Sequence, residues 1–214
     1  MREAIASILL PAALLCGAGT ARAATGDPIG SSVVVVNKVT ALIARDQRTL
    51  RQGDDVRQDE LIEVAVDGRS ELRLRDETKL ALGPGSRLLL DKFVYDPDQP
   101  TGSIAINLVK GAFRFVTGLA SKPSYVIRVP NASITVRGTI FDVFVAADNS
   151  SWLLLHEGAV EACNNAGQCR ILDEPGKLIR IAGGNVGTPE RWTALPGRQT
   201  IAFDNAFPFL SRTP

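Results

Sequence analysis

The side chains that most often carry out chemistry in proteins are scarce in this chain. It contains a single histidine, His156, and three cysteines among 214 residues. One histidine excludes zinc and iron sites built from several histidines, and any Ser-His-Asp or Cys-His arrangement would have to use it. His156 precedes Glu157 and Gly158, which predicts a solvated residue where a strand gives way to a turn rather than a catalytic base. We therefore predict a protein that is not an enzyme, with no catalytic residue and no cofactor.

Three aspartates that lie close together in the chain, Asp91, Asp96 and Asp98, could in principle hold a calcium ion. Their spacing lacks the ligand order and the final glutamate of an EF-hand loop. A solvated acidic loop is the favoured interpretation, and we predict no metal site. Paired carboxylates of the kind that hydrolyse glycosides depend on separation in space, and no motif points to them.

Two of the cysteines, Cys163 and Cys169, flank residues 164–168, a stretch rich in turn-forming Asn and Gly. We expect them on the two arms of a hairpin. In an oxidising compartment so close a pair predicts a disulfide, which would contribute about 2 kcal/mol by restricting the unfolded chain. A redox or metal pair is the alternative, although zinc would need two further ligands that one histidine cannot supply.

The N-terminal 23 residues have the features of an export signal. Arg2 supplies a positive charge, residues 4–15 are largely apolar, and Ala21 and Ala23 form a small-x-small cleavage site. The apolar run is too short to cross a bilayer as a helix, which takes about 20 residues. We expect cleavage after Ala23 and a mature protein that is periplasmic or secreted and has no transmembrane segment.

Charge gives no indication of a nucleic-acid partner. Lys and Arg together number 24, and Asp and Glu number 23. Removing the export signal leaves the basic and acidic counts equal. Without a basic field or a basic block, the mature chain has nothing to attract a polyphosphate backbone. We therefore predict no nucleic-acid binding.

A hydrophobic period of two dominates the chain after residues 24–32, which we expect to be a flexible leader. Residues 71–75 alternate strictly between leucine and charge, and residues 79–82 resume the pattern after a charged turn. Similar short runs bounded by Gly, Pro, Asn or Asp continue to about residue 190, without a convincing helical window. This pattern predicts an all-β fold, either a two-layer β-sandwich or a solenoid-like stack of short antiparallel strands, with little helix.

Arg137, Gly138 and Thr139 form the most distinctive short motif. They follow an alternating strand and precede Ile140, where the next strand resumes. Gly138 permits a kink or bulge, and Thr139 can hydrogen-bond the backbone that the bulge frees. We interpret the motif as a structural bulge. A ligand-binding role for Arg137 is the alternative.

The motif also carries a family resemblance. Residues 136–143, Val-Arg-Gly-Thr-Ile-Phe-Asp-Val, resemble the most characteristic motif of FecR-type domains, an apolar strand followed by Arg-Gly-Thr, one variable residue and an aromatic. Other stretches resemble further family elements in the same order, namely 53–55 with 61–62, 70–76 with 80–86, 108–113, 157–160 and 176–178. The resemblance covers roughly residues 33–190. It implies a periplasmic signalling domain that docks another envelope protein of unknown identity.

In the best-known arrangement of that family, the periplasmic part receives a ferric-siderophore signal from an outer-membrane receptor and passes it to a cytoplasmic sigma-factor regulator. In this sequence we expect a signal peptide in place of the cytoplasmic and membrane-spanning parts. The resemblance therefore implies the domain and its docking role. It divides the chain into a signal peptide (1–23), a leader (24–32), a FecR-like β-domain (33–190) and a C-terminal tail (191–214).

Two aspects of binding stay open at this point. The tail contains three phenylalanines and either packs back on the sheet, which we favour, or serves as a partner-binding segment. The β-domain either docks a protein through an exposed strand edge or loop, or binds a carbohydrate or cell-wall polymer with Trp152 and Trp192 as stacking platforms. Burial distinguishes the two functions, and we predict that Trp152 is at least half buried.

Overall fold

Strands make up nearly all of the regular structure. The computed structural model of the protein describes residues 26–96, 98–120, 125–136, 138–192 and 202–210. The strands are β1 (Pro28–Val36), β2 (Val39–Ile43), β3 (Asp46–Thr49), β4 (Asp55–Arg57), β5 (Leu61–Val64), β6 (Arg69–Leu74), β7 (Lys79–Leu82), β8 (Arg87–Asp96), β9 (Gln99–Val116), β10 (Tyr125–Val129), β11 (Ala132–Val136), β12 (Ile140–Val145), β13 (Ser151–Glu157), β14 (Val160–Asn164), β15 (Cys169–Leu172), β16 (Leu178–Ala182) and β17 (Asn185–Val186). A short helix, α1 (Phe203–Ala206), follows near the C-terminal end.

The strands form two layers that share β9. Layer A runs in the order β4-β1-β6-β7-β9-β12-β13-β16-β17. Layer B runs in the order β3-β2-β5-β8-β9-β10-β11-β14-β15. Within the described residues, the β9–β10 pair is parallel and the other strand pairs are antiparallel. The whole is one hydrogen-bonded network and not a closed barrel, which confirms the predicted all-β fold with little helix.

Gly111 is the point at which β9 passes from layer B to layer A. Lys110 still pairs with β8, whereas Gly111 pairs with β12. Its backbone φ is +90°, and a Cβ there would approach the Ser86 Cα to 2.6 Å. Only glycine combines that conformation with so close a neighbour. From β10 onward, successive hairpins alternate between the layers, so the two layers enclose one core.

Alternating side chains of both layers fill that core. On β6, Leu72 and Leu74 are buried and the residues between them face outward, as the period of two predicts. At the centre, the ring of Phe115 lies 5.4 Å from that of Tyr125 and 5.3 Å from that of Phe141. These three rings come from both layers and hold them together by apolar burial and ring contacts.

Tyr125 is also part of a buried polar cluster. Its hydroxyl donates to the Asp76 carboxylate at 2.5 Å, and the Thr78 hydroxyl donates to the same oxygen at 2.6 Å. Burial and then the hydrogen bond to Asp76 raise the pKa of Tyr125 above its ordinary value. The cluster ties the turn between β6 and β7 to the start of β10.

The flexible leader expected over residues 24–32 is wrong for residues 28–32, which form the first part of β1. Ile29 belongs to the hydrophobic core and is 6% exposed. Gly30 pairs with both β4 and β6, and a Cβ there would lie 2.5 Å from the carbonyl oxygen of Arg73. The small residues that suggested flexibility are instead required by close strand packing.

Cys163 and Cys169 form the predicted disulfide. They occupy paired positions on β14 and β15, which confirms the predicted hairpin. Glu161 lies close to the two sulfur atoms and is the third member of the only metal-ligand-like group within the described residues. Because the sulfur atoms are bonded to each other, this group has no thiolate to offer a metal.

Candidate binding surface on layer A

A buried carboxylate lies on the outer face of layer A. Phe141 and Val143 point into the core, so Asp142 between them points to the opposite face. Its side chain is fully buried and lies across the β12–β9 pair from Arg114. Arg114 donates Nε to Oδ1 at 2.6 Å and Nη2 to Oδ2 at 2.8 Å. Two charge-assisted bonds fix the guanidinium in one orientation and aim its remaining nitrogen, Nη1, away from the carboxylate.

His156 reaches the same carboxylate because of a β-bulge. The pairing of β12 with β13 shifts register between Ile140 and Phe141, which leaves His156 as the extra residue on β13. A bulge of this kind re-aims a side chain. The expectation of a solvated turn residue is wrong, because His156 lies within a strand and its side chain is 22% exposed.

The surroundings of His156 do not form a catalytic triad in the described part of the chain. Nε2 lies 3.0 Å from Oδ2 of Asp142 and 3.3 Å from Nη2 of Arg114. No hydroxyl or thiol of the described residues is hydrogen-bonded to it. The nitrogen that a nucleophile would need is therefore engaged with a carboxylate and a guanidinium.

The C-terminal strap, defined here as residues 202–210, covers the outer face of layer A beside this cluster. Phe207 is 0% exposed and packs with Trp152, Leu154 and Leu178 of β13 and β16. Arg114 Nη1 donates to the carbonyl oxygen of Phe209 at 3.3 Å, and the guanidinium lies 5.5 Å from the centre of the Phe209 ring. The favoured expectation that the tail packs back on the sheet is confirmed for these residues.

Both tryptophans are covered. Trp152 is 4% exposed, which confirms the prediction that it is at least half buried. The Arg180 guanidinium lies 5.3 Å from its ring. Trp192 is partly buried, with its ring 5.2 Å from Phe203 and 5.8 Å from Phe207. Neither indole offers the flat exposed face that a stacked sugar needs.

A groove of about 650 Å³ continues the outer face of layer A beyond the strap. Arg114 and Phe209 form one end, and Val34 and Val36 of β1 form the other. Asp67 and Glu71 also line it, and with Arg69 and Arg114 the two acidic and two basic side chains balance. The groove falls within the size range of ligand sites.

The edge of layer A at β1 is partly unpaired. β4 pairs with β1 only at Pro28, Gly30 and Ser31. Residues 34–36 pair with β6 on one side, and in the described chain no strand pairs with them on the other. Val34 is 37% exposed. An apolar strand edge with unpaired backbone groups is a surface to which another strand can add.

The predicted bulge motif forms a corner between the layers. β11 of layer B ends at Val136 and β12 of layer A begins at Ile140. Gly138 has a φ of +72°, as a kink requires. Among the described residues the Thr139 hydroxyl has no hydrogen-bond partner, contrary to the expectation that it bonds the freed backbone. The Thr117 hydroxyl instead accepts from the Thr139 N–H at 2.7 Å. Arg137 lies outside the described residues, as do Ala21 and Ala23.

The aspartates considered for calcium do not converge. Asp91 forms an ion pair with Arg128 at 2.8 Å, and Asp96 accepts the N–H of Asp98 at 2.9 Å. The described residues place no group of three carboxylates within reach of one ion there. The expectation of an acidic loop is wrong for Asp91 and Asp96, which lie on β8 and are partly buried, whereas Asp98 is exposed in the turn that follows.

Sequence reasoning missed Arg114 and Asp142. A signal was present, since each is a charged residue between two apolar residues of a strand, in Phe113-Arg114-Phe115 and Phe141-Asp142-Val143. Opposite charges at such positions predict a cross-strand pair once the register is known. The register itself depended on the corner at Gly138 and was not readable from the sequence.

The fold is an all-β domain whose outer face on layer A is partly covered by the strap. Residues 60–161 match the family model described as FecR protein, and this segment runs from the start of β5 to β14. This segment is therefore similar to the FecR family. Within the described residues, no helix is both long and apolar enough to cross a membrane.

The solved structures that match part of this chain include two crystal structures of a "putative anti-sigma factor" from Parabacteroides distasonis ATCC 8503. Each is 16% identical in sequence to this chain with a TM-score of 0.49, and the match covers 61% of this chain and 59% of that one. The chain thus spans about three fifths of that protein's length. No curated protein matches this chain in sequence.

Proposed function

We propose that this protein is a non-catalytic binding and signalling module of the FecR type that docks another protein of the cell envelope. The FecR match over residues 60–161 supports a domain of this type. The observation that carries the docking role is the open edge of β1 at residues 34–36, where an extended segment of a partner would add to layer A. Such pairing uses backbone hydrogen bonds for affinity and adjacent side chains for specificity.

The surroundings of β1 suit strand addition by an apolar partner segment. Residues 33–36 are four consecutive valines without charge. Natural edges that avoid pairing carry Lys, Pro or inward charge. By comparison β3, at the edge of layer B, contains Asp46 and Arg48, and Arg48 is tied by hydrogen bonds to the buried Glu60. The β1 edge therefore lacks the protection that the β3 edge has.

The proposal places the protein in the periplasm or outside the cell. The export signal ends in Ala21-Arg22-Ala23, and the disulfide between Cys163 and Cys169 suits an oxidising compartment. N-terminal sequencing of the protein recovered from the periplasm should begin at Ala24. A cytoplasmic protein that retains residue 1 would contradict this placement.

A carbohydrate-binding role loses its motivation, since Trp152 is buried and Trp192 packs against two phenylalanine rings. A catalytic role has no support in the contacts of His156. We therefore favour recognition of a partner protein through backbone hydrogen bonds and apolar surface.

The experiment is affinity capture from an envelope extract with the mature protein as bait. Wild type and V34K are compared, with V66K as the control because Val66 is 86% exposed on a loop off the strand edge. We expect wild type and V66K to capture the same protein and V34K to lose it by about tenfold, which corresponds to about 1.4 kcal/mol. Equal capture by all three proteins would contradict docking at β1.

A further inference from the structure

The face of layer A beneath the strap carries apolar side chains where a solvent-facing strand would carry polar ones. Residues 152–155 of β13 are all buried, although alternate residues must point to opposite faces of layer A. Leu153 and Leu155 belong to the main core, whereas Trp152 and Leu154 belong to the separate cluster under the strap. Without the strap, this face would be a contiguous exposed apolar patch of the kind that marks an interaction site.

The strap is attached to that face by side chains rather than by backbone pairing. The N–H groups of Asn205, Ala206 and Phe207 donate to carbonyl oxygens within the strap, at Ala202 and Phe203. Helix α1 has only four residues and no side-chain N-cap. A single helical turn is not stable by itself. Burial of Phe207 and the contacts of Arg114 with Phe209 therefore hold the strap in place.

Arg114 is suited to hold an exchangeable segment. Asp142 fixes its orientation through Nε and Nη2, and Nη1 is directed at the Phe209 carbonyl. A carbonyl acceptor and an aromatic ring are general features of any peptide with a phenylalanine at that point. Arg114 could therefore make the same contacts with a separate peptide that is not connected to this chain.

We propose that this face is a docking site for an extended or one-turn helical segment of a partner protein that carries aromatic residues spaced as Phe203, Phe207 and Phe209 are. The strap occupies the site in the free protein, and the partner segment displaces it. This rests on the proposed function as a protein-binding module. It identifies a second surface, separate from the β1 edge, and the chemistry of the segment that it accepts.

The probe is a labelled, end-capped peptide of residues 202–210, Ala-Phe-Asp-Asn-Ala-Phe-Pro-Phe-Leu. It is titrated by fluorescence anisotropy into full-length wild type and full-length F207A, in which the anchoring ring of the strap is lost. The apparent affinity for the peptide is proportional to the fraction of protein molecules in which the strap has left the site. Weakening the strap increases that fraction and so increases the apparent affinity. We expect the peptide to bind F207A about fivefold more tightly than wild type.

Two controls keep the test decisive. A peptide with alanine in place of the phenylalanines equivalent to Phe203 and Phe207 should not bind either protein. The V94A chain, changed at a residue 49% exposed on β8, should bind the peptide as wild type does. If circular dichroism shows that F207A is unfolded, F203A replaces it, since Phe203 is only partly buried against the same cluster.

Failure to bind the peptide by a folded F207A or F203A chain would overturn the inference. Equal affinity for wild type and variant would also overturn it, because the strap would then not occupy the peptide's site. Either result leaves the β1-edge proposal standing, since the V34K capture experiment concerns a different surface. Loss of capture by V34K together with tight peptide binding by F207A would support both.

Discussion

The outer face of layer A is covered at one end and open at the other, and the two ends differ in sequence as well as in burial. On β13, residues 152–155 are buried on both faces. On β6, Leu72 and Leu74 are buried, whereas Arg73 between them and Arg69 at the start of the strand are exposed. A strand covered on one side alternates, and a strand covered on both sides is apolar throughout. The run Trp-Leu-Leu-Leu therefore indicates a second covering element, here the strap.

The core and the strap should differ most in what the loss of one phenylalanine ring costs. Phe115 and Phe207 are both 0% exposed. We expect F115A to lower the free energy of unfolding by about 4 kcal/mol, because the cavity lies between the two layers and cannot collapse. F207A should lower it by about 1 kcal/mol, because release of the strap leaves the layers paired. Chemical denaturation measures both, and equal losses would contradict a detachable strap.

The boundary between the covered and open halves is the Arg114–Asp142 pair. D142N leaves the guanidinium without its charged partner at a site that is 24% exposed on the arginine and 0% on the aspartate. We expect a loss of about 2 kcal/mol, below the range for fully buried pairs because Arg114 can turn to solvent. D91N, which breaks an exposed pair with Arg128, should cost less than about 1 kcal/mol. Similar losses for both variants would show that burial of Asp142 has no energetic consequence.

The corner at Gly138 positions β12 beneath that boundary. G138V places a β-branched residue at a φ of +72°. We expect a loss of about 2 kcal/mol from backbone strain. R137A should leave stability nearly unchanged, as the structural interpretation of the motif predicts. Thermal unfolding of the two variants checks this, and unchanged melting of G138V would contradict the corner.

Removing the Tyr125 hydroxyl should cause the smallest loss of stability at neutral pH. It should also change how stability depends on pH in alkaline solution. The pKa of Tyr125 is raised from its ordinary value of 10.0 by burial and by its hydrogen bond to Asp76. The folded state then holds a proton that the unfolded state releases, so the stabilising contribution is complete below about pH 10 and is lost as the pH rises further. Y125F should cost about 1 kcal/mol at pH 7 and show a weaker alkaline loss than wild type.

The matched control for that prediction is Y95F, a change at the chain's other tyrosine. It should keep the wild-type pH dependence, because both proteins retain the buried phenol of Tyr125. Denaturant titrations at pH 8, 10 and 11 would compare the three proteins. An identical alkaline slope for Y125F and wild type would show that Tyr125 does not contribute to it.

Much of the fold could be predicted from local pattern. The alternation in residues 71–75 and the disulfide hairpin at Cys163 and Cys169 follow from periodicity and turn chemistry, both of which are local. Gly and Ser at residues 30–32 suggest a flexible leader by composition, whereas Gly30 lies in a strand between two partners and has no room for a Cβ. Sequence composition alone does not distinguish these cases.

The candidate site was harder to predict because it depends on register. His156 was assigned to a turn from its neighbour Gly158, but a bulge on β13 turns the side chain onto Asp142. That contact joins residues 14 positions apart, and Arg114 adds a third strand. No local pattern encodes which strands become neighbours across a corner between layers.

The most direct test of the covered and open ends is native-state hydrogen exchange, resolved by segment. We expect the amide of Phe207 to exchange with a much smaller opening free energy than those of β12 and β13 beneath the strap, because it donates to the Phe203 carbonyl within the strap and not to a strand. Slow strap exchange that matches the strands in every denaturant concentration would mean that strap and sheet open together, and would contradict the account.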